Sequence, residues 1–267
     1  MKALRNLALT AAFAAVSAAP APAVLVFDNG LATNVVDSTV NDFIEVANSP
    51  GPGGGSPTTV TFNTGANVTG TDFFDDTVYV LDGSNLIFND GQFANDVSGY
   101  DQSSITIFGG QFNDDLYVQN SARLTVSGGT IADDVEAVDN SEVFLRGGSF
   151  GEDIEVDSAK LTISGGQLAT GGNGRLRVDG GGEIVIEGQS FLLDGSPIDF
   201  GPIGSITGLL SGVLLDGSVF TDIPFDRNPG GGFSTGRISL VAIPEASVVL
   251  PAMAITVTLT ARNRRRR

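Results

Sequence analysis

The sequence predicts an all-β protein whose body is a parallel β-solenoid. Three observations carry that expectation. Five stretches align on one another: LIFNDGQF from Leu86, ITIFGGQF from Ile105, LTVSGGTI from Leu124, VFLRGGSF from Val143 and LTISGGQL from Leu161. Their second turn residues, Gly91, Gly110, Gly129, Gly148 and Gly166, recur at a constant step that shortens by one only at the last. Within each stretch apolar and polar residues alternate, which is the period of a half-buried strand. A unit of two or three short strands cannot bury its own apolar face, whereas stacked copies bury one continuous core. A β-sandwich with one strand in each half-repeat is the competing architecture, but it gives no reason for the same residue types to recur at one offset. The coil is expected to be right-handed, because the strict hexapeptide pattern of left-handed coils is missing.

Each repeat reads as strand, Gly-Gly turn, acidic corner, second strand, and a corner of Asp, Asn and Ser. Alternation places Leu124 and Val126 on the buried face, and likewise Leu161 and Ile163. Glycine at a fixed offset is expected where every coil needs positive φ or a close backbone approach. A looser copy, IVIEGQSF from Ile184, follows the last regular one, and a copy with Asp75-Asp76 before VYV precedes the first. The repeats are assigned to residues 58–200, in six or seven coils.

The flanks divide in order. Residues 1–23 read as a signal peptide: Lys2 and Arg5, an apolar run from Leu7 to Val16, then A-x-A-like sites such as Ala21-Pro22-Ala23. Residues 24–57 open with VLVF and end in SPGPGGGSP, read as a cap and a Pro/Gly linker. Residues 201–243 lose the repeat and read as a small closing β unit with its own hairpin. Residues 244–267 form the tail.

Between leader and tail the body carries seven Lys and Arg against thirty Asp and Glu, so its net charge of −23 exceeds the −17 of the whole chain. Such a surface repels nucleic acid and anionic lipid. No Cys is present, so the core must stabilise the body without disulfides. No His is present either, which removes the commonest acid–base side chain.

Stacking in register would place Asp96, Asp115, Asp134 and Asp153 in one column about 4.8 Å apart. Like charges at that spacing repel, and Ca²⁺ between coils would relieve the repulsion with the oxygen ligands it prefers. The alternative is that these side chains hydrogen-bond corner amides, as Asp does at turns. For catalysis the pattern is poor: coil lengths are nearly constant, basic residues are few, and no carboxylate pair stands apart from the repeat. A polysaccharide lyase or hydrolase would have Lys160 or Arg175 as base or electrostatic stabiliser.

The tail begins Ile243-Pro244-Glu245-Ala246, continues as an uncharged apolar run to Ala261, and ends in Arg262 and Arg264, Arg265, Arg266 and Arg267. The run is shorter than the roughly 20 residues of a stable spanning helix. This three-part order resembles the PEP-CTERM sorting signal, with Ala246 where that motif has its second proline. The resemblance covers only the stretch from Ile243 to Arg267. It implies an exosortase, a membrane protease-transferase, as partner. The terminal arginines would stay cytoplasmic by the positive-inside rule, and residues 246–261 would hold the chain transiently at the inner membrane. Cleavage near Pro244-Glu245 would then release the body to the cell surface or the exopolysaccharide matrix. The expected protein is a non-catalytic, structural or adhesive acidic rod that meets extracellular polysaccharide.

Overall fold

The structure is a computed structural model that describes residues 24–28, 30, 34–48, 57–70, 76–228 and 236–242. Residues 1–23, read from the sequence as a signal peptide, and the whole tail, with Pro244, Glu245, Ala246 and the terminal arginines, lie outside the described residues. The chain is all-β, with no helix among the described residues, and its mostly parallel strands wind around one axis.

Three parallel ladders form the walls. The first runs Val24–Phe27, Phe43–Val46, Asp76–Val80, Asp96–Gly99, Leu116–Val118, Val135–Val138, Ile154–Asp157 and Leu176–Asp179. The second begins Asn34–Val36, Thr59–Phe62, Asn85–Phe88 and Ser104–Ile107. It continues through the first halves of Arg123–Ile131, Glu142–Phe150, Lys160–Gln167 and Glu183–Leu193, and ends on Arg237–Ala242. The third is narrow: Thr39–Val40, Asn67–Val68, Gln92–Phe93 and Gln111–Phe112, then the far ends of the three long strands that follow.

Eight successive coils are thus present among the described residues, against the six or seven expected. The added ones come from the segment assigned to a cap. Val24 pairs with Phe43 and Ile44 with Val78, in the same ladder as the later repeats. The step from Val24 to Phe43 matches the later coils, but the step from Ile44 to Val78 is nearly twice as long. The Pro/Gly segment and residues 71–75 are inserted there between strands. That irregular spacing removes the period by which the other coils are recognised.

Inward columns build the core. Val60, Leu86, Ile105, Leu124, Val143, Leu161, Ile184 and Ile238 follow one another in register and are all buried. Phenylalanines fill the wide part near the third wall. Phe62 stacks on Phe88 at 4.7 Å and Phe93 on Phe112 at 4.9 Å, with the two pairs meeting edge to face. Such offset and edge contacts add to simple burial.

The Gly-Gly turn meets two separate demands. A Cβ at Gly128 would lie 2.4 Å from the Phe108 carbonyl oxygen, so the first glycine permits the coils to approach. Gly129 has φ of 92°, which side-chain-bearing residues rarely adopt, and its Cβ would also sit 3.0 Å from the Gly110 oxygen. At the opposite corner the positive φ falls on Asp101 and Gln102, Asn120 and Ser121, Asp139 and Asn140, polar residues of the kind that tolerate it.

The far end is sealed by a different arrangement. The end of Glu183–Leu193, together with Thr207–Leu214 and Val219–Asp226, forms an antiparallel meander. Phe225 then returns to the first ladder against Leu176. Asp216 reaches back from this unit and accepts the Gly166 N–H at 3.0 Å, which closes the column of turns.

Val126 is fully buried between Ile107 and Leu145, while Thr125, one residue away, faces outward. Val126→Asp should therefore cost about 4 kcal/mol or more, the class of an unpaired buried charge. Thr125→Asp should cost about 1 kcal/mol or less, as surface changes do. Denaturant melts of both variants measure the difference, and equal melting would refute the assignment of inside and outside.

Candidate functional site

The first wall concentrates the chemistry. Its middle outward row reads Glu45, Tyr79, Ser98, Tyr117, Glu136, Glu155 and Arg177, each opposite the next. Beside it, where the chain enters each strand, runs the carboxylate column. Asp76 stands opposite Asp96. Asp96, Asp115, Asp134 and Asp153 do come together in one column, as the spacing predicts.

The column is bonded in one direction. Oδ1 of Asp96 accepts the Asp115 backbone N–H at 3.2 Å, Asp115 accepts that of Asp134 at 2.9 Å, and Asp134 accepts that of Asp153 at 2.7 Å. Asp153, 7% exposed, accepts the Arg175 N–H at 2.8 Å and also the Arg175 guanidinium through both oxygens, at 3.3 and 2.8 Å. Arg177 stands 3.6 Å from Asp153 and is paired with Glu155. Arg175, considered as a catalytic group, is therefore the stopper of the column. Lys160 lies elsewhere, on the second wall, in a row of alternating sign: Arg123, Glu142, Lys160, Glu183 and Arg237. The outer pairs of that row close at 3.7 and 3.0 Å.

Between coils the carboxylates hold their protons unusually well. Burial, opposed by the Asp134 amide and reinforced by Asp96, Asp134 and Asp133, pushes Asp115 up to about 7. Burial pushes Glu136 to about 7, with Asp115, Glu155 and Asp134 adding to it and Arg177 opposing. Asp134 rises to about 6, again chiefly through burial. Strongly shifted acids gathered in one place mark a candidate site. Two sets of three, Asp96 with Asp114 and Asp115, and Asp115 with Asp133 and Asp134, bring carboxylate oxygens within 4.8 Å of one another and could hold a divalent cation. One oxygen of Asp96, Asp115 and Asp134 is already engaged by a backbone amide, which narrows what is left for a metal.

A groove of about 400 Å³ opens beside these acids, lined by Asp76, Asp96, Ser98, Tyr100, Asp115, Tyr117 and Glu136. Sequence reading names the acidic column but misses the tyrosines and Glu136. The ladder position of Tyr117 and Glu136 holds Ser98 and Arg177 in other coils, so no constant residue type points to them. The chain thus has the form of a parallel β-solenoid with one acidic, tyrosine-bearing wall. No family model, curated protein or solved structure matches it.

Because folding raises these carboxylates above their ordinary value near 4, the folded state binds more protons than the unfolded chain between about pH 4 and 7. Stability should therefore fall as the pH rises through that window, with a melting temperature higher at pH 5 than at pH 8. Asp115→Asn with Asp134→Asn, which mimics the protonated pair and retains an acceptor oxygen, should raise the melting temperature at pH 8 by several degrees and flatten the profile. Millimolar Ca²⁺ should act no differently from NaCl of equal ionic strength. A Ca²⁺-specific shift that vanishes in the double variant would instead make the column a metal ladder.

Proposed function

We propose that this protein is an exported, non-catalytic component of the cell surface or exopolysaccharide matrix, a rigid acidic rod with a structural or adhesive role. The observation that carries the reading is the carboxylate column. Asp96, Asp115, Asp134 and Asp153 each accept a backbone N–H of the following coil, so the most repeated charged residues of the chain serve its own stacking. The nearly constant coil from Leu86 to Leu168 supports the same reading, because among the described residues that stretch offers no long loop from which to build a catalytic cleft. We take the coil to be right-handed, for the reason drawn from its repeat.

Delivery rests on the two ends. The leader-like residues 1–23 and the tail with Pro244-Glu245-Ala246 and its terminal arginines support export, transient inner-membrane retention and processing by an exosortase. A glycan hydrolase or lyase is the second reading, and what favours it is the raised Asp115 and Glu136 beside the groove. Release of reducing or unsaturated ends from anionic polysaccharides by the purified body would support that second reading.

Glu245→Ala, or deletion of Arg262 to Arg267, should leave export intact and abolish tail removal, so that the chain accumulates in the membrane fraction. Mass spectrometry of the surface fraction checks this in cells of the native organism. Recovery of wild-type chain ending at Arg267 from that fraction would refute the sorting assignment.

A further inference from the structure

The groove on the first wall is shaped by a break in side-chain size. Ser98 lies in register between Tyr79 and Tyr117, on strands that flank it by about 4.8 Å on either side. Tyr79 leans toward the preceding coil: its hydroxyl donates to Glu45 at 3.0 Å and its ring stacks on Phe43 at 5.7 Å. The Tyr117 hydroxyl is likewise drawn along its own strand, donating to Gln119 at 3.0 Å. The space above Ser98, which is 2% exposed, is bordered on one side by the rings of Tyr100 and Tyr117, 5.9 Å apart and tilted. On the other side stand Asp76, Asp96 and Asp115, with Glu136 one coil further on. Asp76 is anchored beneath by the Ser98 hydroxyl, which donates to it.

No cation among the described residues lines this groove, and Arg177, which acts on Glu136 from two coils further along the row, is engaged by Glu155. Arg123, Lys160 and Arg237 share the alternating row of the second wall, and Arg146 and Arg123 lie over the Phe144 ring. Arg175 and Arg177 are held by Asp153 and Glu155, and Arg227 by carbonyls of Gly236 and Ser205 in the closing unit. The groove is thus a concave surface of aromatic rings and carboxylates with no positive charge lining it. Aromatic faces attract organic cations through the ring quadrupole, and carboxylates supply charge-assisted acceptors for N–H donors. A hard metal ion uses oxygen alone and would leave both rings without a role.

We propose that this groove binds an organic ammonium group, and that its occupant is the protonated amine of an amino-sugar unit in an extracellular glycan. The glycan part of this assignment rests on the matrix role proposed above. The carboxylates of Asp76, Asp96, Asp115 and Glu136 stand together along one groove, and an ammonium among them offsets their mutual repulsion. A glycan running along the solenoid axis would cross successive coils and could place a further amine beside Glu136.

Calorimetric titration at pH 7 of the body, residues 24–242, with glucosamine oligomers tests this, using N-acetylglucosamine oligomers of equal length as the uncharged arm. The glucosamine oligomer should bind at least about tenfold more tightly than its acetylated counterpart. Tyr117→Ala and Asp115→Asn should each weaken it by about tenfold, whereas Tyr117→Phe should stay within about twofold, since the ring and not the hydroxyl does the binding. Circular dichroism of each variant confirms that the coil is intact. Equal binding of both oligomers, or affinity indifferent to Tyr117 and Asp115, overturns the proposal. Tighter binding of lysine oligomers of matched charge overturns the glycan assignment in favour of a basic peptide. Retention of the protein in the surface fraction is read separately: if the wild-type chain binds the oligomer but is never found there, the matrix role fails and the ammonium site stands.

Discussion

Coil must meet coil at backbone distance, and the rest of the molecule follows from how that is achieved at the Gly-Gly turn. Between Gly128 and the Phe108 carbonyl, and between Gly147 and that of Ser127, there is no room for a Cβ. With the first glycine allowing contact and the second taking the positive φ, the chain turns at the same place in the four coils that carry Gly109-Gly110, Gly128-Gly129, Gly147-Gly148 and Gly165-Gly166. The strands on either side then fall into register, Ile105 over Leu86 and Phe112 over Phe93. Register in turn aligns Asp115 beneath Asp134 closely enough for a carboxylate to accept the next backbone amide. The acidic column is a product of the turn, not an independent device.

The three walls divide the surface electrostatically. The second wall interleaves acids and bases, so its charges satisfy one another across coils. The third presents Asn67, Gln92, Gln111, Thr130, Ser149 and Gln167, an uncharged row. The excess negative charge gathers on the first wall, where burial pushes Asp115 and Glu136 up to about 7. A single rod therefore offers its surroundings a neutral, a balanced and an acidic surface.

How much of this could be read from the sequence follows from where the repeat is exact. From Leu86 to Leu168 the turn glycines and apolar alternation are regular, and the buried residues there, Leu124, Val126, Leu161 and Ile163, fall where alternation puts them. The first two coils are illegible because nearly two repeat lengths of chain separate Ile44 from its partner Val78, and a repeat search sees only constant spacing. The acidic column could be located because the same residue type recurs at the same offset. The tyrosine groove could not, since Ser98 interrupts Tyr79 and Tyr117 at their shared ladder position. Only the pairing of one coil on the next shows that a small residue lies between two large ones.

The hydrogen bonds of the acidic column all point the same way, each carboxylate receiving an amide from the coil that follows, until Arg175 ends the series with a backbone N–H and a guanidinium together. An interior coil accordingly gives to one neighbour what it receives from the other in this column. The terminus differs, because there a cation completes the bonding. Length is then a free variable of this column: a single repeat duplicated or lost between Asp96 and Asp153 keeps a carboxylate-to-amide bond at every junction. Reach, in such a molecule, can change by whole coils through recombination of near-identical segments without any new contact having to be invented.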